Sequence, residues 1–147
     1  MWKLETSERI ARWRDFRKSL DDLPLANAVQ AVAEFWHNCP YQPYYLDPAD
    51  PESWPTAWDL IAENYYCDVA KALGMLYTIC LTQHGATLAA EIHIYNDPET
   101  GYVYCLPVLS EGKYVINFID SKIVNIESIN KKLKLKRLYT GTELKLK

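Results

Sequence analysis

Trp54-Pro55-Thr56-Ala57-Trp58-Asp59-Leu60-Ile61-Ala62-Glu63-Asn64-Tyr65-Tyr66-Cys67, followed by Asp68-Val69-Ala70-Lys71-Ala72-Leu73-Gly74-Met75-Leu76-Tyr77-Thr78-Ile79-Cys80-Leu81, is the stretch from which the rest of the chain is read. Its second half is apolar at Val69, Ala70, Ala72, Leu73, Met75, Leu76, Tyr77, Ile79 and Cys80. So few polar positions predict a central helix over about Tyr66 to Thr82, buried on most sides. The first half predicts a short helix over about Pro55 to Glu63. Cys67 then falls at the start of the long helix, where unpaired backbone N–H groups carry partial positive charge and favour a thiolate. It is the position where covalent chemistry is expected.

Upstream, Ser7 to Ser19 places Ile10, Trp13, Phe16 and Arg17 near one helical face, with basic residues around them. Asp22 is a candidate N-cap for a second helix, with Pro24 in its first turn and Leu25, Ala28, Val29, Val32, Phe35 and Trp36 on one buried face. Between Asn38 and Thr56 five prolines force extended or turning backbone suited to wrapping over a surface. Tyr41, Tyr44, Tyr45, Trp54, Trp58, Tyr65 and Tyr66 are the aromatic residues expected to pin that segment.

Downstream the pattern changes to strands: Thr87 to Tyr95, Tyr102 to Leu109, Lys113 to Ile119, and Lys122 to Ile126, separated by Asn96-Asp97-Pro98-Glu99-Thr100-Gly101 and Ser110-Glu111-Gly112 turn signals. Helices followed by strands predict an α+β fold, with the helices packed on an antiparallel sheet of three to five strands. Alternation puts Ile92 and Ile94 on the core side of the first strand, and Glu91, His93 and Tyr95 towards solvent or a partner. A two-residue turn at Glu111-Gly112 would pair Asn117 with Leu106, and a three-residue loop would pair it with Cys105.

The 147 residues suit one domain spanning 1–147. The net charge of −3 is uneven, with residues 131–147 carrying +6 and the remainder −9. That acidic body argues against general nucleic-acid binding. The basic segment 131–147 alternates Lys131, Lys132, Lys134, Lys136 and Arg137 with leucines, the pattern of an edge strand or arm that meets other proteins. The 13% aromatic content, rich in Tyr and Trp, also suits contact surfaces, and an oligomer is compatible with it. No apolar run approaches the roughly 18 residues of a membrane span, and Met1 to Arg9 lacks the apolar core of a signal peptide. The expected location is therefore cytoplasmic. The four cysteines form no CxxC pair, and no Cys/His cluster has zinc spacing, so no metal or cofactor is implied. Cys39 and Cys80 read as buried free thiols. His37 and His84 read as helix-end residues, and Asp47, Asp50 and Glu52 as a solvated acidic turn.

The order Phe35-Trp36-His37-Asn38-Cys39-Pro40-Tyr41, then Ser53-Trp54-Pro55-Thr56-Ala57-Trp58-Asp59-Leu60, then Cys67-Asp68-Val69-Ala70, then strands, resembles the bacterial transglutaminase-like cysteine peptidases over roughly residues 23 to 120. The chain also resembles small proteins of tailed phages. The family resemblance implies a Cys nucleophile, a His base at the start of the second core strand and an Asp orienter at the end of the third. Cys67 and Asp68 match the nucleophile and the acid after it; the base strand reads Tyr102-Val103-Tyr104-Cys105, and the orienter's place holds Asn117. The nearest histidine along the chain is His93, one strand early.

Two readings follow. The first is a non-catalytic, transglutaminase-like protein acting through contacts with other proteins, as a phage structural or assembly component in the host cytoplasm or the virion. The alternative is a thiol hydrolase or acyltransferase with Cys67 as nucleophile, His93 as base, and Asn117 or Asp97 as orienter.

Overall fold

The computed structural model describes residues 1–43, 45–141 and 144. Tyr44 of the aromatic set, and residues 142, 143 and 145–147 with Lys145 and Lys147 of the basic segment, lie outside the described residues. The elements are α1 (Thr6–Leu20), α2 (Leu25–His37), α3 (Ala57–Ile61), α4 (Asp68–Cys80), β1 (Ala90–Asn96), β2 (Val103–Leu109), β3 (Tyr114–Val115), α5 (Ile126–Asn130) and β4 (Lys134–Tyr139). The strands form one antiparallel sheet in the order β3-β2-β1-β4, which is the α+β architecture read from the sequence.

α4 is buried at Val69, Ala70 and at every position from Ala72 to Ile79. It packs against α2 on one side and the sheet on the other. The approach of α2 is set by Gly74, where an added Cβ would lie 2.5 Å from the Trp36 ring. The buried hydroxyl of Thr78 is satisfied on both sides. Its Oγ1 accepts from Trp13 Nε1 at 3.0 Å and from Trp36 Nε1 at 2.9 Å, and its hydroxyl donates to the Gly74 carbonyl at 2.6 Å. Arg17 lies over the Trp13 ring, 4.4 Å from its centroid, and shields that edge of the core.

Three elements differ from their sequence reading. α2 has Pro24, not Asp22, at its N-cap, because the proline's extended ψ of 149° already turns the chain into the helix. The strand expected over Lys113 to Ile119 is paired only at Tyr114–Val115, since Asn117 and Asp120 adopt left-handed φ values of 67° and 48° and bend the chain away. Lys122 to Ile126 contributes one bridge, Val115 to Val124, before Asn125 caps α5 through Ser128 N. The register Val108↔Val115 and Leu109↔Tyr114 matches the count that places Asn117 level with Leu106.

The sheet is covered on both faces. Ile92, Ile94, Cys105 and Leu109 join the helical core, whereas Tyr95, Leu106, Val108 and Val115 form a second cluster with Ile129 of α5 and Leu133. His93 belongs to the second face and is 7% exposed, where alternation alone placed it towards solvent or a partner. α5 and the residues after it close that face, so the side judged to be outside is a second core. β4 is an edge strand of the sheet, with Lys134 to Leu138 exposed and Tyr139 buried. Among the described residues no helix is long and apolar enough to cross a membrane.

Candidate active site

Two buried side chains fix the chain as it enters the candidate site. Arg9, 5% exposed, donates to four backbone carbonyls: Ile61 at 3.1 Å, Glu63 at 2.6 Å, Trp2 at 2.9 Å and Leu4 at 3.1 Å. Its charge faces the carbonyl end of α3, where the helix dipole is negative. Tyr66 packs against Trp2 and Trp36 and donates to the Leu60 carbonyl at 2.9 Å. The proline-rich segment pairs alongside, Tyr66 N donating to Pro40 O and Gln42 N to Tyr66 O. The next residue is thereby held at the mouth of α4.

That residue, Cys67, is the N-cap of α4, with extended backbone, no side-chain cap bond and 2% exposure. Asp68 follows in the first turn, where a carboxylate complements the dipole. Its Oδ2 accepts from Tyr102 Oη at 2.7 Å and Tyr41 Oη at 3.2 Å. The partial burial of Tyr102 and its donation to Asp68 push its proton loss upwards. Asn117 Nδ2 donates to the Asp68 carbonyl at 3.3 Å and the Cys105 carbonyl at 3.0 Å, tying the first turn of α4 to β2. Tyr45 brings a buried hydroxyl with no hydrogen-bond partner into the electrostatic reach of Cys67.

The side chain that β2 presents to this site is Cys105. Cys67 and Cys105 line the same cavity of about 50 Å³, with Leu46 and Val103 among its walls. Burial first, then the neighbouring Cys67 and Asp68, push the Cys105 thiol strongly upwards, so it stays protonated. A second cleft of about 150 Å³ holds His37, Asp68, Lys71, Tyr102, Asn117 and Asp120. Among the described residues no three His, Cys, Asp or Glu side chains cluster as a metal ion would require.

The sequence-derived residues separate. Cys67 and Asn117 meet at the first turn of α4, but His93 does not join them. His93 pairs with Leu106 on the face of the second core, and β1 and β2 stand between its ring and Cys67. Its Nε2 bonds Glu91 Oε1 at 3.0 Å. Asp97 caps the β1–β2 turn, accepting from Glu99 N at 2.8 Å, and orients no imidazole. Lys131, Lys132, Lys134, Lys136 and Arg137 are exposed from the end of α5 along β4. Sequence reasoning passed over three groups: Cys105 as the thiol facing Cys67, the Tyr41–Asp68–Tyr102 cluster, and His37, read as a helix end, at the polar cleft. The pairing of the second strand with α4 was the signal for Cys105. The two tyrosines had none, because their meeting at Asp68 joins residues far apart in the chain.

No protein-family model matches the chain, and no curated protein does. Among solved structures it is similar to calcium-bound LapG of Legionella pneumophila, with a TM-score of 0.70 and 15% identity over 95% of this chain and 82% of that one. A second structure of LapG gives 0.69 at 15% identity over 93% and 78%, and EGTA-treated LapG gives 0.66 at 15% over 92% and 77%. LapG is a bacterial transglutaminase-like cysteine protease, and the fold here is transglutaminase-like.

Proposed function

We propose that this chain is a non-catalytic protein on the transglutaminase-like protease scaffold, acting through protein contacts along its basic edge strand β4. One observation carries the reading: β2 faces Cys67 with the thiol of Cys105, while the His93 imidazole lies behind the sheet. Attack by a thiol on an acyl carbon needs a base that takes the sulfur's proton and returns it to the leaving group. Neither Cys105 nor Asn117 performs that exchange. The exposed row of Lys134, Lys136 and Arg137 on β4 suits addition of an acidic extended segment to the sheet edge. A structural or assembly role is in keeping with a scaffold that binds without turning over.

A second reading keeps Cys67 as the nucleophile of a hydrolase or acyltransferase, favoured by its N-cap position and by His37 at the adjoining cleft. Iodoacetamide labelling of the native chain at pH 6, mapped by mass spectrometry, separates the two. Cys67 is expected to label no faster than denatured chain controls. Labelling at least about tenfold faster, and slowed by His37→Ala, would overturn the non-catalytic reading. For the edge strand, the triple variant Lys134→Glu, Lys136→Glu, Arg137→Glu is expected to fold normally and to lose the proteins that the native chain captures from host extract. Retention of the same set would remove β4 as the docking element.

A further inference from the structure

β4 stands at one end of the sheet order and pairs with β1 through Lys134, Leu135, Arg137, Leu138 and Tyr139, the register passing over Lys136. That irregularity is a bulge, and it decides which side chains share a face. Lys134 and Arg137 stand opposite Asn96 and Ile94, on the side of the helical core. Leu135 and Leu138 stand opposite Tyr95 and His93, on the side of the second core. A strict period of two would have split the two leucines between the faces. With the bulge, the edge reads cation, leucine, cation, leucine.

Both leucines are incompletely covered, at 44% and 42% exposure. Leu133 before them is buried in the second core, and Tyr139 after them turns inward against Trp54 and donates to the Pro48 carbonyl at 2.9 Å. Among the described residues no backbone hydrogen bond joins residues 134–138 to a segment other than β1. Nor does Lys131, Lys132, Lys134, Lys136 or Arg137 form an ion pair among them. Lysine on an edge strand ordinarily guards against pairing. Two half-exposed leucines on one face do the reverse, since they offer apolar area to a strand laid beside them. A second copy of this chain does not suit the edge, because antiparallel pairing of two β4 strands would set cation against cation. A nucleic-acid backbone would neutralise the cations and leave the leucines wet.

We propose that the partner of β4 is an extended segment in which Asp or Glu alternates with Leu, Ile or Val, added to the sheet as a further strand. Its acids meet Lys134 and Arg137 on the helical side, and its apolar side chains cover Leu135 and Leu138 on the other. The inference rests on the reading of β4 as the docking element and names the chemistry of what docks there.

The test is titration of the isotope-labelled full chain with a blocked peptide alternating Glu and Val, followed by NMR and amide hydrogen exchange. Saturable shifts centred on residues 134–138 are expected, with slowed exchange there, because strand addition ties the outward N–H groups. A peptide of the same composition with its Glu and Val residues in separate blocks should bind about tenfold more weakly. The double variant Leu135→Ser, Leu138→Ser, exposed substitutions whose own spectrum reports the fold, should also weaken binding about tenfold. Equal binding of the two peptides, unchanged exchange on β4, or tighter binding of a single-stranded oligothymidylate that the double variant retains would overturn the proposal. Should the triple charge variant lose its captured proteins while exchange on β4 stays unchanged, the edge docks by charge alone, and the inference fails with the docking role intact. Retention of those proteins by the triple variant removes both.

Discussion

Arg9→Met is expected to destabilise the chain by about 4 kcal/mol, the largest loss expected of a single polar side chain in this fold, read from urea unfolding. The guanidinium satisfies four carbonyls from two separate segments, residues 2–4 and 61–63. Each carbonyl left without a donor costs on the order of 1–3 kcal/mol where water cannot replace it. Three of the four bonds are only partly buried, so rehydration recovers part of the loss. Methionine also removes the cost of burying a charge, which holds the net effect below the sum of the bonds. Arg9→Lys should regain less than half, because one ammonium cannot reach four carbonyls arranged around a planar fork. The same variant should raise hydrogen exchange in residues 62–67, since Arg9 tethers the approach to Cys67. A loss under about 1 kcal/mol would show that the two segments hold together by packing alone.

Thr78→Val is expected to cost about 3 kcal/mol, or on the order of 10 °C in Tm at this chain length. The substitution conserves shape and removes one oxygen. That oxygen accepts from both Trp13 and Trp36, which are 1% and 0% exposed, so neither indole N–H can turn to water. Thr78→Ser keeps the oxygen and gives up a methyl group, so its loss should stay near 1 kcal/mol. Calorimetric melting of the three proteins checks the order, and near-equal melting of the Val and Ser variants would contradict it. Tryptophan fluorescence should shift in the Val variant alone, because the hydroxyl is the acceptor its two indoles share.

Much of the scaffold was legible because it is written in short-range signals. The apolar run from Val69 to Ile79 allows only a buried helix, the Pro55-Thr56 step precedes a capped short helix, and the Asp97 turn joins two alternating segments. The site was legible only in part. Cys67 at the helix start and Asn117 beside it were both read, whereas the tyrosine pair on Asp68 joins residues 41, 68 and 102 and leaves no local trace. Thr78 looked like one polar residue in an apolar helix, and nothing near it in the chain names its two tryptophan partners.

By itself, then, the sequence determined that α1 to α4 are helices and β1 and β2 strands, where Cys67 stands on α4, and that no imidazole occupies the second strand. Only the tertiary structure decided which face of the sheet is buried, and so where His93 points. A strand's period of two sorts its side chains into two sets without saying what covers either. The cover for that face includes Ile129 and Leu133, far along the chain, and burial is a property of what packs against a residue.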